Sequence, residues 1–229
     1  MVAWMGPEPL VEAIGVWRHF RSGTEATDAL RDVSCRIYPG ELIALIGPSG
    51  SGKSTLLHLL AGLDRPSRGK VQWPALGGEN QLRPTKIALV FQGPSLLAPL
   101  SVAENVRLPL FLAGATEQRA NLLASRALER MHLADVHDKL PEEISGGQAQ
   151  RAAIARALVT EPALLIADEP TGQLDSAAAE EVVSALVEDV RTLGASALVA
   201  THDWQVARHF SIAWKIRAGR LTASTRCST

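Results

Sequence analysis

The sequence has 229 residues, 46% of them hydrophobic, which is enough for one large domain with a sizeable core. Its 23 basic and 24 acidic side chains nearly cancel, so we expect no nucleic-acid partner, because such proteins usually carry a basic surplus. The two cysteines lack the spacing of a metal site or a disulfide framework, and no run approaches the roughly 18 apolar residues of a membrane span.

Strand-like and helix-like patterns alternate along the chain. Residues 33–40, VSCRIYPG, alternate apolar and polar side chains, which predicts a half-buried strand that ends in a turn. Buried parallel strands are predicted for four short apolar runs: LIALI (42–46), IALVF (87–91), ALLIA (163–167) and ALVAT (197–201).

Helices are predicted over 54–61, 117–131, 148–159 and 177–193. Thr116 is a suitable N-cap for the second of these, and Gly194 is a suitable C′ residue after the last. Residues 93–143 show no convincing strand and are predicted to form a helical insertion, whereas 222–229 are predicted to be a frayed polar tail. Strands that alternate with helices predict an α/β fold with a mainly parallel sheet.

Polar side chains follow each of the four apolar runs. In an open α/β sheet, ligands bind at the carboxyl ends of the strands. The residues at these ends are GPSGSGKST (47–55), Gln92, Asp168-Glu169 and His202. Together they predict a site for a phosphate and a metal ion.

The stretch 47–55 matches the phosphate-binding pattern GxxxxGK[ST] in full. Its glycines allow backbone N–H groups to face an anion. Lys53 can reach the β- and γ-phosphates of a nucleotide, and Ser54 can bind Mg²⁺ through its hydroxyl. The predicted phosphate-binding residues are Gly47, Pro48, Ser49, Gly50, Ser51, Gly52, Lys53, Ser54 and Thr55.

The other strand ends carry side chains suited to hydrolysis. Asp168 is placed to hold Mg²⁺, and Glu169 is the candidate general base for water, a role typically worth about 10²–10⁴ in rate. Gln92 can bond a water and take part in Mg²⁺ binding through its amide, although an ordinary polar loop residue is an equally good interpretation. His202 can donate a hydrogen bond to the γ-phosphate, although a lone histidine is more often structural.

A second glycine-rich stretch, ISGGQ (144–148), precedes the predicted helix over 148–159. A helix N-terminus with free N–H groups, a serine hydroxyl and no bulky side chains can bind an anion. Taken alone, the stretch is equally suited to an N-cap followed by a flexible turn.

In combination, these motifs resemble those of the ATP-binding cassette (ABC) ATPases, in the family's order and over roughly Leu10 to Leu221. GPSGSGKST resembles the Walker A motif and ISGGQ the signature, while Gln92 and His202 resemble the Q-loop glutamine and the switch histidine. LLIADEPTG (164–172) and QLDS (173–176) resemble the Walker B motif and the D-loop.

The resemblance implies a fold for the whole chain. A single ABC ATPase domain, 1–229, would combine a P-loop NTPase core with an N-terminal antiparallel β-region and a helical subdomain. The core with its β-region would span about 10–92 and 148–221. The helical subdomain would span 93–147 and end in the signature loop.

The resemblance also implies a dimer that binds ATP and Mg²⁺. In the family, two cassettes pack head to tail, and each signature closes over the ATP held by the other Walker A motif. Ser145, Gly146, Gly147 and Gln148 would therefore contact a partner's ATP, and Asp175 in the D-loop would relay between the two sites. The partner is a second copy or a similar cassette.

An aromatic side chain, usually tyrosine, stacks on adenine in this family. Phe20 aligns best with that position, and Trp17 and His19 are alternatives. The segment between Gly69 and Gln92 is shorter than is usual, which implies a trimmed β-region.

Three stretches resemble the cassettes of the lipoprotein-release and macrolide-export group: GLDRPSRG (62–69), PTGQLDS (170–176) and THDWQVA (201–207). That resemblance implies a cytoplasmic ATPase that drives a separate membrane permease from the inner face of the cell membrane. The alternative is a regulatory or cell-division cassette that acts mechanically on a membrane partner without transport. DNA-repair and ribosome-associated cassettes usually carry coiled-coil arms, zinc sites or two cassettes, none of which is apparent in this sequence.

Overall fold

The four apolar runs lie side by side in one sheet. They form β3 (Leu42–Ile46), β5 (Ile87–Val90), β6 (Leu164–Asp168) and β7 (Ser196–Thr201), which are parallel to each other and to β8 (Ile212–Arg217). An antiparallel edge strand, β9 (Arg220–Arg226), completes the order β5-β6-β7-β3-β8-β9. This computed structural model, which describes residues 7–22 and 25–226, confirms the α/β class.

Both faces of this sheet are covered, which explains why its strands are continuously apolar. In β3, Leu42, Ala44 and Ile46 point into one hydrophobic core, and Ile43 and Leu45 point into the other. The first core packs against α2 (Val102–Leu112), α3 (Glu117–Arg130), α4 (Gly146–Leu158) and α5 (Ser176–Thr192). The second core packs against α1 (Lys53–Leu60) and a smaller sheet.

The smaller sheet is the antiparallel β-region that the family resemblance implied. It contains β1 (Val11–Ser22), β2 (Glu25–Ile37) and β4 (Arg68–Gln72) in the order β2-β1-β4. Across the β1–β2 pair, Arg18 lies opposite Leu30 and His19 lies opposite Asp28. Ala29 is therefore an extra residue without a cross-strand partner, which is the definition of a β-bulge.

Residues 93–143 form the expected helical insertion, with α2, α3 and two short 3₁₀ turns. Thr116 caps α3 by accepting a hydrogen bond from the Arg119 N–H, as predicted. Gly194 follows α5 at φ +64°, also as predicted. Within the described ranges, no helix is both long enough and apolar enough to cross a bilayer.

Two expectations from the sequence were wrong. The fourth helix begins at Gly146 rather than at 148, because the Ser145 hydroxyl accepts from the Gln148 N–H at 3.2 Å while the Gln148 side chain accepts from the Ser145 N–H at 2.9 Å. The double glycine is thus helical, stabilised by a capping box. The expected polar tail is a strand as far as Arg226, because backbone pairing with β8 needs no apolar side chains; residues 227–229 lie outside the described ranges.

Candidate nucleotide-binding site

The loop between β3 and α1 curls through glycines that have left-handed backbones or lie too close to neighbouring backbone for a side chain. Gly50 and Gly52 have φ values of +72° and +104°. A Cβ on Gly52 would lie 2.5 Å from the Ala29 carbonyl oxygen, and a Cβ on Gly47 would lie 2.4 Å from that of Ile216. The loop is therefore held tightly against β2 and β8 by backbone contacts.

Lys53 is the first residue of α1 and its side chain is buried. Its Nζ donates to the carbonyl oxygens of Gly47, at 2.8 Å, and Pro48, at 3.3 Å. It also lies 3.1 Å from Oε1 of Glu169. A buried ammonium on a curled, glycine-rich loop is well suited to bind the phosphates of a nucleotide.

The loop opens onto a cavity of about 320 Å³, close to the lower end of the usual size for ligand sites. Three predicted side chains from the ends of β5 and β6 line it: Gln92, Asp168 and Glu169. The loop itself contributes Ser49, Gly50, Gly52, Lys53, Ser54 and Thr55. The structure thus brings nine of the thirteen residues predicted at the strand ends together in one cavity. Gly47, Pro48 and Ser51 belong to the loop without lining it, and His202 lines a smaller neighbouring cavity that shares Glu169.

Glu169 connects the loop lysine to the predicted switch histidine. Its Oε2 lies 2.9 Å from Nδ1 of His202, while its Oε1 contacts Lys53. The backbone of Glu169 is left-handed, at φ +46°, and its N–H donates to the Ala200 carbonyl at 2.9 Å. Gln92 lies close to Glu169 and Gly172. A Cβ built on Gly172 would lie 3.6 Å from Nε2 of Gln92 and 3.4 Å from Oε2 of Glu169.

The second glycine-rich stretch lies elsewhere. None of residues 145–148, all of which the structure describes, lines the cavity at the phosphate loop. A Cβ on Gly146 would lie 3.5 Å from the Leu174 side chain, and one on Gly147 would lie 3.6 Å from that of Ala178. Asp175, between these two neighbours, caps α5 by accepting from the N–H groups of Ala177 and Ala178.

The family model described as "ABC transporter" matches residues 30–172 of this chain, which include the phosphate loop, the ISGGQ stretch and the Asp168-Glu169 pair.

The chain belongs to the ABC transporter family.

Among curated proteins, the cassette is 39% identical over 221 residues to the lipoprotein-releasing system ATP-binding protein LolD of Hyphomonas neptunium, covering 93% of this chain and 97% of that protein. It is 41% identical to the macrolide export ATP-binding/permease protein MacB of Sodalis glossinidius, covering 95% of this chain and 34% of that longer protein. This ATPase is therefore the ATP-binding subunit of an ABC system of the LolD and MacB type.

Solved structures agree with this assignment. The dimeric structure of an ATP-binding cassette in a post-hydrolysis state, bound to ADP and Pi, is 33% identical with a TM-score of 0.84, covering 96% of this chain and 99% of that one. The structure of cbiO1 from Clostridium perfringens, part of the ABC transporter complex cbiONQ, is 30% identical with a TM-score of 0.83, covering 95% and 88% of the two chains.

The cassette offers Mg²⁺ an environment of oxygen ligands. The Ser54 hydroxyl, the Gln92 amide and the Asp168 carboxylate line the same cavity, and Mg²⁺ prefers oxygen ligands. In the described ranges, no group of three His, Cys, Asp or Glu side chains could hold a metal by itself.

Phe20 is the most exposed of the three aromatic candidates for adenine stacking, at 45%. The guanidinium carbon of Arg18 lies 4.6 Å from the centroid of the Phe20 ring. Trp17 and His19 contact each other instead, with centroids 5.8 Å apart, and Nδ1 of His19 lies 2.5 Å from the Asp28 carboxylate. Phe20 does not line the cavity, although Thr27, its partner across the β1–β2 pair, does, and its role as the stacking residue stays a prediction.

One wall of the cavity, which consists of Thr27, Asp28 and Ala29, was not predicted from the sequence. These residues lie in β2, and Thr27 pairs with Phe20 across the β1–β2 hairpin. Their only sequence signal is their position shortly before the alternating stretch that starts at Val33. The register between β1 and β2, with its bulge at Ala29, brings them to the site.

Proposed function

We propose that two copies of the cassette close head to tail around two ATP molecules, each bound between the phosphate loop of one copy and the signature stretch of the other. The supporting observation is the separation of the two glycine-rich stretches. The cavity at Lys53 contains neither Ser145 nor the glycines that follow it. A second copy, related by two-fold symmetry, would supply both missing signatures at once.

The described residues have the chemistry that ATP hydrolysis needs. The Lys53 ammonium would bind the β- and γ-phosphates, and the Glu169 carboxylate would accept a proton from the attacking water. His202 would hold the γ-phosphate and, through its contact with Oε2, orient Glu169. Mg²⁺, held by Ser54, Asp168 and Gln92, would neutralise the phosphate charge.

We further propose that the cassette drives a separate permease, from the cytoplasmic face of the cell membrane. The name of MacB from Sodalis glossinidius joins an ATP-binding part and a permease in one protein, and this chain matches only 34% of that protein. The LolD relative is named as the ATP-binding protein of a lipoprotein-releasing system. Transport through a membrane permease, by an exporter or mechanotransmission system, is therefore the proposed use of ATP.

We also propose the division of the chain that the family resemblance implies. The core and its β-region would comprise 10–92 and 148–221, and the helical subdomain 93–147. The helical layer, entered through Gln92, would then carry the movement of dimer closure to the permease.

The experiment that tests this function uses Glu169→Gln. We expect its ATPase rate to fall by about 10²-fold or more, because the amide cannot accept the proton of water. The variant should still bind ATP, so light scattering should show a shift from monomer to dimer when Mg-ATP is added.

Glu161→Gln is a matched control, because Glu161 is also left-handed, at φ +51°, and lies outside the cavity. It should hydrolyse ATP at the wild-type rate. Wild-type turnover by Glu169→Gln, or ATP binding without any dimer in the presence of Mg-ATP, would contradict the proposal.

A further inference from the structure

Three separate parts of the backbone meet directly behind the phosphate loop. They are the bulge of β2 at Ala29, the loop itself at Ser51-Gly52, and the turn between β8 and β9 at Gly219. The Gly219 N–H donates to the Ser51 carbonyl at 3.0 Å, and the Arg31 N–H donates to the Gly219 carbonyl at 2.8 Å. The turn is thus bonded to the phosphate loop on one side and to β2 on the other.

Two glycines make this close approach possible. A Cβ on Gly52 would lie 2.5 Å from the Ala29 carbonyl oxygen, and a Cβ on Gly219 would lie 2.8 Å from the same oxygen. Both contacts are closer than side-chain carbons tolerate, and the obstructing atom belongs to the backbone. Gly219 is also left-handed, at φ +74°, and is buried. No other residue fits there without displacing β2 or the loop.

Ala29 links this junction to the cavity. Its carbonyl faces Gly52 and Gly219 while the residue itself lines the cavity, together with Thr27 and Asp28. The bulge breaks the pairing with β1 at this residue, so the hairpin alone does not fix it. The turn at Gly219 is the element that contacts both walls of the cavity from behind.

We propose that Gly219 is a positioning residue for nucleotide binding, which fixes the distance between the phosphate loop and the β2 wall of the cavity. This inference rests on the proposed nucleotide site at Lys53. Nucleotides that contact both walls depend on this spacing, because contacts that are lengthened on one wall lose van der Waals and hydrogen-bond energy. Gly219 does not line the cavity and would act through Ser51 and Ala29.

The test compares Gly219→Ala with Gly40→Ala. Gly40 has nearly the same backbone conformation, at φ +79°, but a Cβ there would meet nothing within 4 Å. Both variants carry the strain of a left-handed alanine, and only the first pushes on the nucleotide site. Calorimetric titration with Mg-ADP should show affinity reduced about tenfold or more in Gly219→Ala. The free energy that overpacking typically costs corresponds to a factor of this size when it falls on binding. Gly40→Ala should bind as the wild type does.

Steady-state ATPase measurements give a second readout. We expect Gly219→Ala to raise KM while kcat at saturating ATP stays within about twofold, because binding, not the chemical groups, is disturbed. Equal affinity in the two variants would overturn the proposal. Lys53→Ala distinguishes this failure from a failure of the proposed site, because wild-type Mg-ADP affinity in Lys53→Ala would mean that the site itself is misplaced.

Hydrogen exchange of the wild-type cassette tests the proposal without any variant that could fail to fold. Mg-ADP should slow exchange of the amides in the turn at 217–220, because the Gly219 N–H is bonded to the phosphate loop. The turn at Pro39-Gly40, which precedes β3 at the amino ends of the parallel strands, should be unaffected. Protection of the phosphate loop without protection at 217–220 would overturn the proposal.

Discussion

Glu169 shows how one residue can be held where chemistry needs it. Its left-handed backbone, at φ +46°, costs of the order of 1–3 kcal/mol for a residue other than glycine. That strain is offset by the bond from its N–H to Ala200 and by the contacts of its carboxylate with Lys53 and His202. The carboxylate is thereby aimed into the cavity at the end of β6, as its proposed role as general base requires.

Phe20 leads to a prediction about the nucleobase. Stacking of a base on an aromatic ring is worth about 1–3 kcal/mol, so Phe20→Ala should weaken Mg-ADP binding roughly tenfold. Phe20→Tyr keeps the ring and should bind as the wild type does. Inorganic tripolyphosphate, which has no base, should bind equally to all three proteins in calorimetric titrations.

Phe111→Ala is a matched control for this prediction, because Phe111 lies in α2 and is exposed to nearly the same extent, at 44%. Its removal should leave Mg-ADP affinity unchanged. If Trp17→Ala weakens binding and Phe20→Ala does not, the alternative aromatic residue is the stacking partner.

At the scale of elements, an ion pair holds the helical layer to the core helix behind it. Arg130 at the end of α3 pairs with Asp189 of α5, whose side chain is fully buried, while that of Arg130 is 28% exposed. Removal of one partner from a buried pair leaves an uncompensated charge and typically costs 3 kcal/mol or more. Arg130→Ala should therefore lower the free energy of unfolding by about 3 kcal/mol, whereas Arg126→Ala, at an exposed position of the same helix, should change it little.

The same pair predicts a dependence on pH. Burial raises the pKa of Asp189, and Arg130 opposes that rise. A carboxyl group whose pKa is raised by folding destabilises the native state above that pKa, and the cost disappears as the pH falls below it. Without Arg130 the pKa of Asp189 should rise further, so the destabilisation of Arg130→Ala should shrink in urea unfolding experiments as the pH is lowered from neutrality towards the ordinary pKa of a carboxyl group. A constant difference across this range would contradict the assignment.

The sequence predicts well those elements whose pattern of apolar side chains reflects their burial. The run LIALI predicts β3 without error, because both faces of that strand are covered and every side chain is apolar. β9 lies at the sheet edge and is held by backbone bonds to β8, so its polar sequence gives no signal. The helix α2 begins with a capping box formed by Ser101 and Glu104. It is hard to predict from the sequence because Pro109, which usually interrupts a helix, lies inside it.

The residues of the candidate site likewise fall into a group that the sequence predicts and a group that it does not. Residues at the carboxyl ends of parallel strands, such as Asp168 and Gln92, are predictable because all those ends lie along one edge of the sheet. Thr27, Asp28 and the junction at Gly219 depend on register and on backbone contacts between distant segments. Strand register and backbone contacts leave no periodic pattern in the sequence, so only the three-dimensional structure reveals these residues.

At the scale of the whole molecule, the signature stretch is fully formed within one chain although its own cavity does not use it. Ser145 already caps α4 through the Gln148 N–H. The proposed contact of Ser145 with a partner's ATP must therefore be tested without removal of the cap. Ser145→Arg would remove the cap and obstruct the partner at the same time. Aspartate is as good an N-cap as serine, so Ser145→Asp should keep the helix start intact.

Ser145→Asp should nevertheless prevent dimer closure, because its carboxylate would face the γ-phosphate of the partner's ATP and repel it. We expect the variant, combined with Glu169→Gln, to bind ATP as a monomer and to show no shift to dimer in light scattering with Mg-ATP. Thr116→Asp in the same background is the control, because it makes the same kind of change at the N-cap of α3 and should still dimerise. If Ser145→Asp instead abolishes ATP binding by the monomer, the signature stretch serves the chain's own nucleotide. The head-to-tail arrangement would then be wrong.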